Sequence, residues 1–520
     1  GDMRDELMIG VLAASEDSSV VEEFFELFKT PWEYCRGDAD YDAVVSFDGR
    51  VPANAPRLLV LYAPCRSRSQ GHSAVSSDLG GAGATLCATG SDVLPIYGLL
   101  ERFDSTIDRV PILKVGQDLA AYRVVSGGFV IVHLGYNLLH EVEHLLMTGQ
   151  PACHAACPSL EIHIGILRDE ILAAGIPLVE LPPSPPGVPF QVCLTHDIDF
   201  VGIRPHFFDH TMWGFLYRST SGALLEWVRG RSSVGVLGKR LLAAAKLPLV
   251  YLGFARDFWE PFGWYMEVEK ALPATYFLIP FKNRRGECVT APKAHRRASK
   301  YDIGDINASV ARLRSCGFEI GVHGIDAWHD VRRAVEEFDR IGKLNPCDDM
   351  GIRMHWLLQD EKTYRTLDAA GFTYDSSAGY NETVGYRCGT TQVFRPLGSQ
   401  RLVELPLHVQ DGALFYPRYL ALTEASAWQL CENMRRNALR FGGVLTINWH
   451  DRSHGPERFW GGFYKKLLEA LRESGARFVT GAQVTRWFRA RRQVRFARAD
   501  REPGSIELTK RGEVDPIDPP

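Results

Sequence analysis

Four short apolar runs in this chain each break off into a cluster of ionisable side chains, and that recurrence restricts the fold more than any other feature. A run of four to eight β-prone apolar residues is the length of a buried strand. When several such strands end in charged groups, with helical stretches between them, a parallel sheet that gathers its strand ends at one mouth is expected.

The first run is Gln191–Thr195, leading into Thr195-His196-Asp197-Ile198-Asp199. Asp197 and Asp199 are two apart, so a strand projects both to one face. Two ionised carboxylates held close repel, and a cation beside them removes that cost. The second is Glu319-Ile-Gly-Val-His323-Gly-Ile-Asp326-Ala-Trp-His329-Asp330. Two histidines with an aspartate make a common catalytic zinc set with an open position. The third, Gly351-Ile-Arg353-Met-His355-Trp356, offers an arginine to orient a carboxylate. The fourth, Leu445-Thr-Ile-Asn448-Trp449-His450-Asp451, offers an imidazole as general acid. Taken singly, each reads as well as a structural pair or a surface group. Together they supply the parts of metal-assisted hydrolysis.

Further strand candidates are Ala274–Leu278 and Leu402–Leu407. The region 191–490 is expected to be a distorted (β/α)7-8 barrel with a helical insertion at 204–262. A proline cluster, Leu181-Pro-Pro-Ser-Pro-Pro-Gly187, marks a linker at 181–190. Before it, residues 1–180 alternate strand and helix patterns at Leu7–Leu12, Ala43–Phe47, Arg57–Tyr62 and Phe129–Leu134. An α/β domain with a mostly parallel sheet is expected there, its role open. Residues 66–83 read as a Ser/Gly loop, and the polar tail 497–520 as disordered. With 520 residues, two or three domains are the prior.

The 59 basic and 63 acidic residues give a net charge of −4, too balanced for a nucleic-acid binder. Eleven scattered cysteines speak against a disulfide framework. Neither a signal peptide nor an apolar run of roughly 18 residues is seen, so a cytoplasmic protein is expected. The insertion carries eight Lys or Arg against three Asp or Glu over 204–257, among Phe207, Phe208, Trp213, Phe215 and Trp227. Its plain reading is a helical roof over the barrel mouth. Its sharper reading is peripheral contact with the inner face of a membrane.

The four segments, in this order, resemble the NodB-type polysaccharide deacetylases, the fourth carbohydrate esterase family, in an Asp-x-Asp variant of the first motif. The resemblance covers roughly 190–490. It implies a metal-dependent carbohydrate N-deacetylase that removes an acetyl or formyl group from an amino sugar of a glycan or lipid-linked precursor. It implies one divalent ion, usually Zn2+, held by Asp199, His323 and His329. By the same likeness Asp197 is the base, Arg353 orients it and His450 is the acid. Asp375, in Phe372-Thr-Tyr-Asp375, resembles the fourth motif, and Gly385-Tyr-Arg387-Cys-Gly-Thr390 and Leu405-Pro-Leu-His408 resemble segments of bacterial members. Trp356, Asp375 and Arg387 are the candidate substrate contacts. The chain departs from the usual second motif: five residues separate its histidines rather than three, and Ala327 stands where the second histidine is normal. Asp326 is the alternative third ligand.

Two other readings compete. If neither His329 nor Asp326 reaches the ion, a degenerate barrel that binds carbohydrate without turnover gains. His140-Glu141-Val-Glu-His144 fits the H-E-x-x-H pattern of helical zinc peptidases, but Leu139, Val142, Leu145 and Leu146 give the same stretch an ordinary core-facing stripe. Cys153-His154-Ala-Ala-Cys157 lacks a second ligand pair nearby.

Overall fold

The computed structural model describes residues 8–37, 39–64, 83–270, 272–289, 294–498 and 506–510. The chain divides into two compact units. One takes in Gly1–Pro183, Gly385–Gly398 and Arg486–Pro520, and the other Ser184–Val384 and Ser399–Thr485. The sequence expectation ran the second region unbroken to 490. Instead, two later stretches belong with the first unit. Glu161 shows how one of them is held: its buried carboxylate accepts from Thr390 Oγ1 (2.6 Å) and Thr391 N (3.2 Å). Arg491 secures the other, donating to the carbonyls of Glu26, Leu27 and Leu181.

The first unit is built on nine strands: β1 (Ile9–Leu12), β2 (Trp32–Tyr34), β3 (Ala43–Ser46), β4 (Leu58–Tyr62), β5 (Thr85–Thr89), β6 (Asp92–Ile96), β7 (Val110–Val115), β8 (Asp118–Ser126) and β9 (Phe129–Leu134). Their order is β2-β1-β3-β4-β9-β8-β7-β5-β6. The pairs from β2 to β9 are parallel. Those from β9 to β6 are antiparallel. The expectation of a mostly parallel sheet is thus corrected to a mixed one. Gly127 and Gly128, at φ 58° and 89°, reverse the chain between β8 and β9 in two residues, which only a hairpin needs. The Ser/Gly stretch at 66–82 lies outside the described residues. In the tail, expected to be disordered, β19 (Val494–Arg498) and β20 (Ile506–Lys510) pair antiparallel.

The second unit carries β10 (Gln191–Ile198), β11 (Thr275–Leu278), β12 (Glu319–Gly324), β13 (Gly351–Met354), β14 (Tyr374–Asp375), β15 (Val403–Glu404), β16 (Val409–Gln410), β17 (Val444–Asn448) and β18 (Arg477–Val479). The order is β15-β14-β13-β12-β11-β10-β17-β16, and every pair is parallel. Among the described residues no ladder joins β15 to β16, so this parallel sheet is a barrel left open. Strand β10 is its hub. Along one edge β17 pairs with Gln191–Thr195. The other edge is shared, with β18 on Gln191–Cys193 and β11 on Thr195–Ile198. All eight residues of β10 are buried, which is why its sequence reads as a continuous run rather than an alternation.

The insertion folds as three helices, His210–Ser219, Ser221–Val228 and Val234–Tyr251, around a small core of its own. Met212, Phe215, Ala243, Leu247 and Val250 pack with Ile203 and Trp259. Asp209 caps the first helix, accepting from Thr211 N and Met212 N at 2.8 and 3.0 Å. Asp257 ties the two ends of the insertion together, accepting from Ile203 N, Arg204 N and Trp259 N. No helix among the described residues is long and apolar enough to cross a membrane.

One strand contact gives a stability test. A Cβ on Gly351 would lie 2.0 Å from Tyr374 Cζ, whereas one on Gly342, in the helix Val331–Leu344, meets only Met350 Cε at 3.9 Å. Gly351→Ala is expected to lower stability by about 1–3 kcal/mol or more. Gly342→Ala is expected to raise it by about 0.4–1 kcal/mol. Urea unfolding followed by tryptophan fluorescence checks both.

Candidate metal centre and active site

Along β10 the side chains alternate. His196 is fully buried, its Nδ1 bonded to the Trp449 carbonyl (2.9 Å) and its Nε2 to Glu269 Oε1 (2.7 Å). Asp197 and Asp199 instead face a cavity of about 600 Å³ lined by residues of the second unit, among them His323, His355, Trp356 and His450. Strand ends therefore do what the sequence pattern implied: they deliver polar groups from β10, β12, β13 and β17 to one place.

At the cavity floor Asp199 Oδ1 lies 3.2 Å from His323 Nε2 and 3.2 Å from His355 Nε2. The proton count decides what this means. His323 Nδ1 sits 3.0 Å from the Arg353 carbonyl, which can only accept. Nδ1 is therefore the protonated nitrogen, and in the neutral ring Nε2 points a lone pair at a carboxylate oxygen. Asp199 Oδ1 is buried and has no hydrogen-bond donor. Burial pushes His355 well below its ordinary value, so its ring is neutral. Burial alone would raise Asp199. A positive charge beside it, an imidazolium at His355, His323 or His450 or a cation in their place, outweighs burial and holds the carboxyl well below the usual range. Three acceptor atoms thus converge on one point, an arrangement that repels itself until a cation or a proton enters. Asp199, His323 and His355 are one of two groups among the described residues with the geometry to hold a metal ion. One carboxylate with two imidazoles is a fitting set for a divalent ion such as zinc.

His329 does not join them, and this corrects the expected ligand set. Beyond β12 the chain turns at Asp326, whose Oδ1 accepts from Glu287 N (2.8 Å) and lies 3.2 Å from His329 Nε2. Asp326 and His329 form the second group with Glu287, which is ion-paired to Arg333. His355 takes the vacated role. A sharp reversal after β13 turns it inward, with Trp356 and Leu357 at φ 68° and 53°, a backbone region that costs non-glycine residues of order 1 kcal/mol or more. The alternation Arg353-Met354-His355 was the signal that could have found it.

Asp197 is held by Arg353 and Asn448. Arg353 Nη1 lies 3.1 Å from Asp197 Oδ1 and donates to Thr195 Oγ1 (2.6 Å), while Asn448 Nδ2 donates to Asp197 Oδ2 (2.9 Å). The remaining guanidinium donors go to Ser376, and the arginine is fully buried. A carboxylate has about four acceptor positions, so Asp197 keeps capacity for a proton from the cavity side. Opposite, His450 Nδ1 lies 2.5 Å from Asp411 Oδ1, and Asp411 also accepts from Ser453 Oγ. Burial disfavours the imidazolium, but Asp411 reverses this and raises His450 well above its ordinary value. His450 is thus a protonated imidazole whose Nε2 is not used by Asp411. Asp411 was missed in the sequence, although it directly follows β16 and obeys the same strand-end rule.

The substrate contacts fare unevenly. Trp356 lines the cavity. Asp375 and Arg387 do not, and both expectations are corrected. Asp375 is buried at the end of β14, accepting from Ser377 Oγ and Gln359 Nε2, and burial pushes its carboxyl up to about 6. Arg387 lies in the first unit, where its carbonyl accepts from Gln150 N (2.7 Å). In the H-E-x-x-H stretch, Glu141 is buried and accepts from Tyr97 N and Gly98 N. Neither His140 nor His144 belongs to a metal-capable group among the described residues.

No protein-family model matches the sequence, and no curated protein matches it. Several solved structures are similar in part. A protein described as a polysaccharide deacetylase from Mycobacterium smegmatis is 17% identical over 65% of this chain and 99% of its own, with a TM-score of 0.36. The allantoinase Puue is 12% identical over 60% and 94%, with a TM-score of 0.36. Agd3, described as a novel carbohydrate deacetylase, is 8% identical over 95% and 89%, with a TM-score of 0.35. Likenesses of this size carry no functional argument, which rests on the geometry.

Metal analysis of the full chain is expected to find about one tightly held divalent ion per protein. Asp199→Ala, His323→Ala and His355→Ala should each weaken its binding on the order of a hundredfold or more, and His329→Ala should leave it unchanged. Loss in His329→Ala with retention in His355→Ala would return the ligand set to the sequence expectation.

Proposed function

We propose that this protein is a metal-dependent amide hydrolase that removes an N-acyl group, acetyl or formyl, from an amino sugar. The observation that carries the reading is the convergence of Asp199, His323 and His355 beside a carboxylate and an imidazolium in one cavity. The sugar comes from the resemblance of the strand-end motifs to the NodB-type deacetylases, with His355 in place of the expected second histidine.

Asp199, His323 and His355 would hold a divalent ion, most simply Zn2+. Such an ion supplies Lewis acidity toward the amide carbonyl and toward water. The chain supplies the proton transfers. Asp197, oriented by Arg353 and Asn448, takes the proton of the attacking water. His450, kept protonated by Asp411, gives its Nε2 proton to the departing amine nitrogen. Trp356 offers an apolar face at the cavity wall for a sugar ring.

A specific observation favours a lipid-linked form of that substrate. Phe207, Phe208, Trp213, Leu224, Leu225, Trp227, Val228 and Phe254 of the insertion are all exposed. They stand among the eight basic residues of 204–257, and the helix His210–Ser219 also contributes to the cavity wall. Aromatic and cationic side chains on one small subdomain suit an anionic membrane surface. On this reading the protein works peripherally at the inner face of a membrane. Sedimentation with anionic vesicles tests it: binding should weaken at least tenfold in Phe207→Ser/Trp213→Ser, and absence of binding by the intact chain removes it.

Asp197→Asn should keep the metal and lose roughly 10²–10⁴ of kcat on an N-acylated amino sugar. Full activity in that variant would exclude Asp197 as the base. The pH profile tests the acid. Because Asp411 raises His450, the active imidazolium persists above the ordinary value, and activity is lost as pH rises through the raised one. Asp411→Asn removes that support, so the alkaline limb of kcat/KM should move to lower pH. A limb that does not move would deny His450 the role of acid.

A further inference from the structure

Three arginines in the cavity wall are not used by the reaction outlined above. Arg218 comes from the helix His210–Ser219, and Arg452 and Arg458 from the turns that follow β17. Each has one guanidinium nitrogen shut off from solvent without a hydrogen-bond partner: Nε of Arg218, Nε of Arg452 and Nη1 of Arg458. The two buried arginines of this unit are treated differently. Arg353 places all three of its nitrogens, and Arg297 donates to the carbonyls of Arg285, Ile325 and His355.

Two of the three, Arg452 and Arg458, lie against rings. The Arg452 guanidinium lies 3.6 Å from the Phe200 ring centre and 5.0 Å from that of Trp259. The Arg458 guanidinium lies 4.8 Å from Tyr416 and 5.0 Å from Trp460. Rings orient a guanidinium by its face and leave its edge donors free. Three carboxyls are near, and one of them, Asp411, is already paired with His450. Glu457 Oε1 lies 4.0 Å from Arg218 Nη2, at the outer limit of an ion pair, and its Oε2 accepts from Trp259 Nε1. Asp451 is buried and pushed up to about 7, first by burial and, against the pull of Arg452, by Asp199. The three cations therefore outnumber their anions. Burial first, and then repulsion from Arg458 and Arg452, brings Arg218 down to about 10.

We propose that Arg218, Arg452 and Arg458 form a phosphate-binding subsite, and that the substrate is a phosphorylated amino sugar, its phosphate ester or diphosphate seated there while its amide reaches Asp199, His323 and His355. A planar guanidinium edge matches phosphate oxygens, and three such edges suit a group with several oxygens better than a single carboxylate. The substrate half of this inference rests on the hydrolase reading, but the binding half does not. The same phosphate is carried by a soluble sugar phosphate or sugar nucleotide and by a lipid-linked sugar.

The first measurement uses inorganic phosphate alone, titrated by calorimetry into the full chain freed of metal by chelation, so that no ion competes for the anion. Binding is expected, weakening with added salt and at least tenfold in Arg218→Gln. Arg458→Gln serves as the second variant should the first not fold. No binding, or binding unchanged in a folded variant, overturns the subsite whether or not the protein is a hydrolase. The second measurement compares kcat/KM for a neutral N-acetyl amino sugar, its 1-phosphate, its nucleotide diphosphate and a lipid-linked diphosphate in vesicles. An Arg218-dependent preference of at least tenfold for a phosphorylated form is expected, and the arm that shows it names the source. Equal turnover of the neutral sugar overturns the substrate class and leaves the hydrolase standing. Phosphate binding without turnover of any arm keeps the subsite and removes the hydrolase.

Discussion

The buried guanidinium of Arg353 is the constraint around which the second unit is arranged. A fully enclosed cation must find partners for all its donors, and removing one member of such a pair costs about 3–5 kcal/mol. Arg353 meets that demand by reaching across the sheet to Thr195 and Asp197 on β10 and to Ser376 beyond β14. Its own carbonyl, meanwhile, accepts from His323 Nδ1 and so selects which nitrogen of that ring faces Asp199. One residue thereby positions one carboxylate through its side chain and sets the tautomer of one imidazole through its backbone. The two halves of the site, the Asp197 carboxylate and the pair Asp199 and His323, are thus set by the same strand end.

Opposite environments are what allow neighbouring groups to take different roles. Asp199 and His450 are both enclosed, and burial alone would leave each uncharged. His450 is kept charged by Asp411, and Asp199 by whatever positive charge stands among the imidazoles around it. His355, enclosed without a dominant counter-charge, stays neutral and keeps its lone pairs. The cavity consequently holds an acceptor set, the Asp197 carboxylate and a protonated imidazole side by side.

The sequence disclosed those parts that lie along a single strand. Asp197, Asp199, His323, Arg353 and His450 could be picked out because a strand end is a local event and alternation fixes its face. The parts that depend on how the chain travels afterwards were not legible. His329 was counted by spacing, but the turn at Asp326 carries it toward Glu287. Asp411 meets His450 across 39 residues, and no local pattern announces such a contact. Asp375 sits one strand too far from the cavity, and Arg387 belongs to a segment that the chain lends to the other unit. In the first unit the parallel strands were read from continuous apolar runs such as Arg57–Tyr62. The antiparallel half, β5 to β8, is only half buried and gave no such run.

The knot that Asp257 makes with Ile203, Arg204 and Trp259 has a further consequence. The chain leaves the barrel and re-enters it through one doorway, and the excursion between carries its own core. Such a cassette can lengthen, shrink or be exchanged between relatives without disturbing a single rung of the β10 ladder. The outward face of the insertion can therefore be restyled so long as the helix His210–Ser219 keeps the residues it lends to the cavity wall, and a protein engineer has the same splice points.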